Sequence, residues 1–124
     1  MIRGMRGATT VNANSEEVIV KATEELFTQL IELNQIEPDS VASVFVSTTE
    51  DINAAFPAKA LRKIPGWTYV PVMCMREMPV PNSLKMCIRV MMHVNTNVAQ
   101  ENIVHVYLNG AEVLRPDLNN SPAL

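Results

Sequence analysis

The sequence predicts a single α+β domain, close to α/β in its element order, with a mixed β-sheet of about five strands flanked by one long and one short helix. Three observations carry that expectation. Residues 1–11 alternate as a strand, residues 15–34 place apolar side chains at helical spacing, and Val41–Thr48 is a β-branched run, so strand, helix and strand follow in order. Trp67–Val94 then reads as two apolar strands separated by a Pro-rich turn. With 124 residues, 48% of them hydrophobic, and no internal repeat, the chain has material for one modest core and not two.

In the first strand Ile2, Gly4, Arg6 and Ala8 share one face, and Arg3, Met5, Gly7 and Thr9 the other. The small residues around Arg6 leave space beside it, whereas Arg3 is expected in solvent. Asn14 is expected to cap the long helix, with Glu17 as its capping-box partner. Val18, Ala22, Leu26, Leu30 and Leu33 form the packing stripe, and Glu16, Glu17, Lys21, Glu24 and Glu32 face water; no chemistry is expected there. Glu37–Ser40 is a turn into the strand Val41–Thr48, which completes a βαβ-like or split unit. Pro57 suits the first turn of a short helix that Pro65-Gly66 ends.

Tyr69–Cys74 and Met86–Asn95 are the next strands. In the second of these, Ile88, Val90, Met92 and Val94 oppose Cys87, Arg89, Met91 and His93, and two largely apolar faces predict a central place in the sheet. A short turn over 96–102 leads to a last strand, Ile103–Leu108. Asn109-Gly110 then reads as a hairpin turn with Ala111–Leu114 as its return.

Charge and cysteine usage exclude several classes. Formal net charge is −3 with no run of Lys or Arg, which argues against nucleic acid or an anionic membrane as partner. No apolar leader region opens the chain and no stretch is long enough to span a membrane, so a cytoplasmic location is expected. Cys74 and Cys87 fall on separate strands, and with His93 and His105 they match no zinc pattern; reduced thiols and no metal are expected. Asn119-Asn120-Ser121 fits a glycosylation triplet, which is discounted without a secretory signal.

The residue that does not fit a plain core strand is Arg89, a permanent cation inside C-I-R-V-M-M, and Glu77 closes the preceding strand in C-M-R-E-M. A guanidinium there needs an anion, because an unpaired buried charge costs several kcal/mol (~3–5). An internal Glu77–Arg89 pair that merely ties two strands together meets that need; so does an anionic ligand. Lys59, Arg62 and Lys63 on the short helix, with Phe56 at its mouth, read as a solvated face or as the rim of an anion site.

Five stretches occurring in one order tip the balance: R-G-x-R-G-A-T-T, F-P-A-K-A-x-R, G-W-x-Y-V-P-V-x-C-x-x-E-M, C-I-R-V-M-M and H-V-Y-L…V-L-R-P-D-L. Together, over Ile2–Leu118, they closely resemble the monofunctional trimeric chorismate mutases, the small class with a pseudo-α/β-barrel rather than the all-helical class. The resemblance implies a catalytic domain over 1–118 with a flexible tail over 119–124, and a homotrimer with sites between subunits. It implies the [3,3]-sigmatropic conversion of chorismate to prephenate, in aromatic amino acid biosynthesis, with no covalent intermediate and no cofactor. By position, Arg89 would donate to the ether oxygen, Glu77 would face the developing ring cation, and Arg6 would bind the ether oxygen or a carboxylate. Cys74 and Glu77 would orient the ring hydroxyl, Tyr107 would bond a carboxylate, and the backbone of Met73, Cys74, Met75, Arg76 and Glu77 would line the pocket. Phe56, Lys59, Arg62 and Arg115 would form the rim.

Two departures from the family pattern stand out: Arg76 is a cation where an uncharged polar residue is common, and P-V-P-N-S lacks an expected glycine. With no proton to shuttle, a flat pH–rate profile is expected from about pH 6 to 9, apart from any effect of the Cys74 thiol. Two other readings share the architecture. A trimeric enamine/imine deaminase would need a Pro-rich strand ending in a catalytic Arg, which is not evident. A non-catalytic trimeric binding module would not require Arg6, Glu77, Arg89 and Tyr107 together.

Overall fold

In the computed structural model, which describes residues 1–115, strand β1 (Ile2–Thr10) leads into helix α1 (Glu16–Asn34) and strand β2 (Val41–Thr48). Helix α2 (Lys59–Arg62) and strands β3 (Val72–Arg76), β4 (Cys87–Asn95) and β5 (Val106–Tyr107) follow. The sheet order is β3-β2-β4-β1-β5. Both β1 and β2 run antiparallel to β4, which lies between them, so the first strand–helix–strand unit is split by a later strand. The outer strands β3 and β5 run parallel to β2 and β1. The mixed α+β sheet and the central place of β4 therefore follow the alternation in the sequence.

One sheet face is covered by α1. Met5, Gly7, Val44, Val46, Ile88, Val90 and Met92 alternate onto it and meet Ile19, Leu26, Phe27 and Leu30 of the helix in one core. Gly7 is required by that packing: a Cβ there would stand 2.9 Å from Leu30 Cδ1 and 3.0 Å from both Leu26 Cδ1 and the Val106 carbonyl. The opposite face carries Arg6, Ala8, Phe45, Ser47, Met75, Arg89, Met91 and His93, and among the described residues only the last 3-10 helix, Asn109–Leu114, lies over one end of it.

Several local expectations are corrected. Ser15, not Asn14, caps α1, its hydroxyl accepting from the Val18 N–H at 3.3 Å. The Asn14 side chain instead accepts from the N–H groups of Asn53 and Ala54, both at 3.0 Å, and so ties the helix start to the following loop. Leu33 is exposed, because the buried stripe runs through Ile19, Thr23, Leu26, Phe27 and Leu30, and Arg3 is half-buried, its Nε donating to the Val98 carbonyl at 3.2 Å. Strand β3 starts after Pro71, because Trp67–Val70 closes as a turn that buries Trp67 and Val70, and it runs on to Arg76 alongside β2.

The final hairpin does not form. A two-residue Asn-Gly turn needs positive φ at both positions, and only Asn109 has it, at 55°. The Asn109 amide donates to the Thr9 hydroxyl, the Gly110 N–H to the Thr10 hydroxyl (both 3.0 Å), and the chain winds on as a 3-10 helix that buries Ala111 against Ala8, Cys87 and Tyr107. The last strand is only two residues long for a related reason: side chains take the neighbouring backbone groups, His105 that of Arg6 and Asn34 those of Val104. In P-V-P-N-S, Asn82 takes the left-handed place (φ 65°) where glycine was expected. The expected tail over 119–124 and the triplet Asn119-Asn120-Ser121 lie outside the described residues.

Candidate active site

Arg89 projects from the middle of β4 onto the open face, with its Nε 3.2 Å from Glu77 Oε2. The two are an ion pair in distance but not aligned as a hydrogen bond, since that Nε has no hydrogen-bond partner. The other Glu77 oxygen accepts from the Met78 N–H at 3.0 Å, and the Glu77 N–H donates to the Thr48 carbonyl at 2.9 Å, so the carboxylate is fixed at the point where β2 and β3 end. Neither partner is deeply buried: their side chains keep 39% and 28% of their exposure, so the pair faces a cleft and not the core.

That cleft, about 470 Å³, is lined by Arg6, Ser47, Met75, Arg89, Tyr107 and Leu114, among others. The β1–β4 register sets Ala8 opposite Arg89 and Arg6 two residues away on the same face, where small side chains leave the guanidinium groups room. Tyr107 is 6% exposed, and its hydroxyl is buried with no hydrogen-bond partner among the described residues. A buried phenol without a partner is costly, by about 1–3 kcal/mol, and marks a place for an incoming acceptor. Arg6, Arg89 and Tyr107 therefore line one cleft from β1, β4 and β5, with Glu77, just past the end of β3, paired to Arg89.

The other expected residues lie elsewhere. Phe56, Lys59, Cys74 and Arg76 line a second cleft of about 630 Å³, between α1, α2 and the helix-covered side of the β3 edge. Only Met75 borders both clefts. Lys59 is paired with Glu16, whose carboxyl is held below its ordinary value by that hydrogen bond and charge. Arg62 donates to the Thr68 carbonyl at 2.9 Å and lines neither cleft, as does the 60% exposed Met73. Arg115, half-exposed, ends the last 3-10 helix close to His105.

The backbone of Arg76 was expected to line the pocket; its side chain clamps the loop after β2, Nη1 donating to the Thr48 hydroxyl (3.2 Å) and the carbonyls of Thr49 (2.7 Å) and Ile52 (3.0 Å). Sequence reasoning missed Phe45, Met91 and His93 as lining, although the alternation of β2 and β4 puts them on the Arg89 face. It also missed the contact of His105 with the Arg6 backbone, which no spacing reveals.

The chain that builds this mixed sheet, with Arg6, Arg89 and Tyr107 on one cleft and Glu77 beside Arg89, is matched over residues 2–118 by the family described as chorismate mutase type I. The chain belongs to the chorismate mutase type I family and is an isomerase. It is 54% identical over 119 residues to chorismate mutase AroH of Bacillus subtilis (strain 168), covering 96% of this chain and 94% of that one. It is 45% identical over 122 residues to chorismate mutase AroH of Thermus thermophilus, covering 98% and 99%. Among solved structures, a chorismate mutase from Clostridium thermocellum superposes with a TM-score of 0.86 at 50% identity, over 90% of this chain and 98% of that one.

Proposed function

We propose that the protein converts chorismate to prephenate, and that charges fixed on the open sheet face carry the catalysis. The observation that carries this reading is the convergence of Arg6, Arg89 and the unpartnered Tyr107 hydroxyl on one cleft, with Glu77 beside Arg89. The substrate is a dicarboxylate. In the rearrangement its ether C–O bond lengthens, the oxygen gains negative charge and the ring gains positive charge. No proton moves, so a general base has no task. The catalyst needs donors aimed at charge that develops, in a place that excludes water, and one such donor is worth about 3–4 kcal/mol of barrier.

Arg89 is the ether-oxygen donor: its Nε has no hydrogen-bond partner in the resting protein, so the donor is available. Glu77 offers a carboxylate to the ring cation while it keeps Arg89 in place. Arg6 and Tyr107 hold carboxylate oxygens. Cys74, with Phe56, Lys59 and Arg62, belongs to a second half-site, and the two halves meet when one subunit sets its α2 side against the open face of the next. Phe45 (37% exposed), Met73 (60%) and Met75 (43%) support an association of that kind, because an apolar sheet face of this size is seldom left in water. A homotrimer satisfies this head-to-tail arrangement. The two free cysteines suit a reducing, cytoplasmic setting.

The test is the loss of chorismate absorbance, with prephenate recovered as product, upon adding purified protein in the presence of a chelator. Full activity with chelator is expected, since the sequence offers no metal-ligand pattern. Absence of turnover, or its loss on chelation, contradicts the proposal.

A further inference from the structure

Arg6 is held through its backbone by a side chain that the chemistry does not otherwise use. Its N–H donates to Nδ1 of His105 at 3.0 Å. On that edge of β1 the backbone ladder with β5 covers only Gly7–Val106 and Ala8–Tyr107, so the imidazole occupies the next place along where a carbonyl would stand. The ring is presented from a backbone anchored on both sides. Before it, Val104 exchanges two hydrogen bonds with the Asn34 side chain, at 2.8 and 2.9 Å; after it, the Leu108 N–H donates to the Ala8 carbonyl at 2.9 Å.

A ring nitrogen that accepts a hydrogen bond carries no proton, so His105 is the neutral tautomer with its hydrogen on Nε2. Protonation at Nδ1 would set N–H against N–H and place a cation beside two others. Among the described residues, the charged groups that bear on the ring are Arg6 from β1 and Arg115 from the end of the last 3-10 helix; α1 contributes the neutral Asn34. We propose that His105 is a positioning residue for Arg6: its neutral imidazole fixes the Arg6 backbone, and so the reach of that guanidinium into the open-face cleft, and protonation in acid releases it. Burial first, then the charges of Arg6 and Arg115, keep the ring neutral to below its ordinary value of 6.5, so the device is set at neutral pH. The inference rests on the proposed substrate-binding role of Arg6.

Two measurements test it. Nitrogen-15 NMR of the ring in the ligand-free protein should show the Nε2–H tautomer at pH 7, and the Arg6 amide should shift with the same midpoint as His105. In kinetics, kcat/KM for chorismate should fall in acid as the ring gains its proton, at a pH lower than its ordinary 6.5. His105→Asn puts an amide oxygen where Nδ1 stood and cannot gain a proton; it should keep the neutral-pH rate and lose the part of the acid limb that tracks the ring. His105→Ala should lose roughly tenfold in kcat/KM at neutral pH, the order expected for one hydrogen bond, chiefly through KM, with that limb likewise absent. An acid limb unchanged in His105→Asn, a wild-type profile flat through the ring's titration, or an Arg6 amide indifferent to it overturns the proposal. If chorismate is not turned over at all, the functional reading fails, while the NMR titration still decides whether His105 holds Arg6.

Discussion

Arg89 was visible in the sequence as a charge out of place, and the structure gives its reason: its Nε faces a cleft with Glu77 as an imperfectly aligned neighbour. Arg89→Ala should lower kcat by about 10²–10³ or more with the fold retained, as for removal of one oxyanion-type donor. Arg89→Lys should fail nearly as badly, because a point charge on a flexible stem does not reproduce the planar fork. Steady-state kinetics beside circular dichroism decide it: a Lys variant with near-native kcat means charge alone suffices, and an unfolded Ala variant means the pair is structural. Asp51 shows the opposite situation, a residue with no motif around it that holds the entry to β4. Burial opposes its ionisation, but the Thr49 hydroxyl at 2.5 Å and the Met86 N–H at 3.0 Å outweigh it and keep the carboxyl below its ordinary 3.8. With the folded value below the unfolded one, its stabilisation is complete above pH 3.8 and disappears as pH falls through the folded value. The Tm difference between wild type and Asp51→Asn should therefore be largest near neutral pH and shrink as pH falls below 3.8; a difference independent of pH would contradict this.

Elements with long alternation were legible, and those set by side-chain-to-backbone bonds were not. The faces of β1, β2 and β4 followed from period-two spacing, because one face must bury against α1. The diversion of Asn14 from capping, the two-residue β5 and the 3-10 helix at Asn109–Leu114 depend on partners far away in sequence, such as Asn53, Thr9 and Arg6, which no local pattern announces. Arg76 belongs with these: three oxygens of the Thr48–Ile52 loop take its Nη1, partners that lie more than twenty residues away. Gly7 was read only as space beside Arg6, yet its own face is where α1 and β5 press closest. Gly7→Ala should destabilise by about 1–3 kcal/mol, since the Val106 carbonyl is backbone and cannot swing aside. Urea unfolding at fixed protein concentration measures it; a change within experimental scatter would show that β1 shifts freely over the helix.

On the scale of the whole molecule, the expected site residues divide between two faces of the sheet. Arg6, Arg89 and Tyr107 share the open-face cleft; Phe56, Lys59 and Cys74 share the cleft beside α2, with Arg62 on that helix. The sequence placed each residue on its element and left open which of them share a face, because that depends on the β3–β2 register and the position of α2. In a head-to-tail ring, one subunit's α2 side would complete the next subunit's open face, and a ligand of chorismate's size would be enclosed by both. Co-refolding Arg62→Ala with Arg89→Ala tests this most directly. Each variant alone should be nearly inactive; mixed in equal amounts, roughly one site in four would join two intact halves, so activity should return to about a quarter of wild type. Mixed assemblies that form and stay inactive would place the whole site within one chain and contradict the shared-site reading.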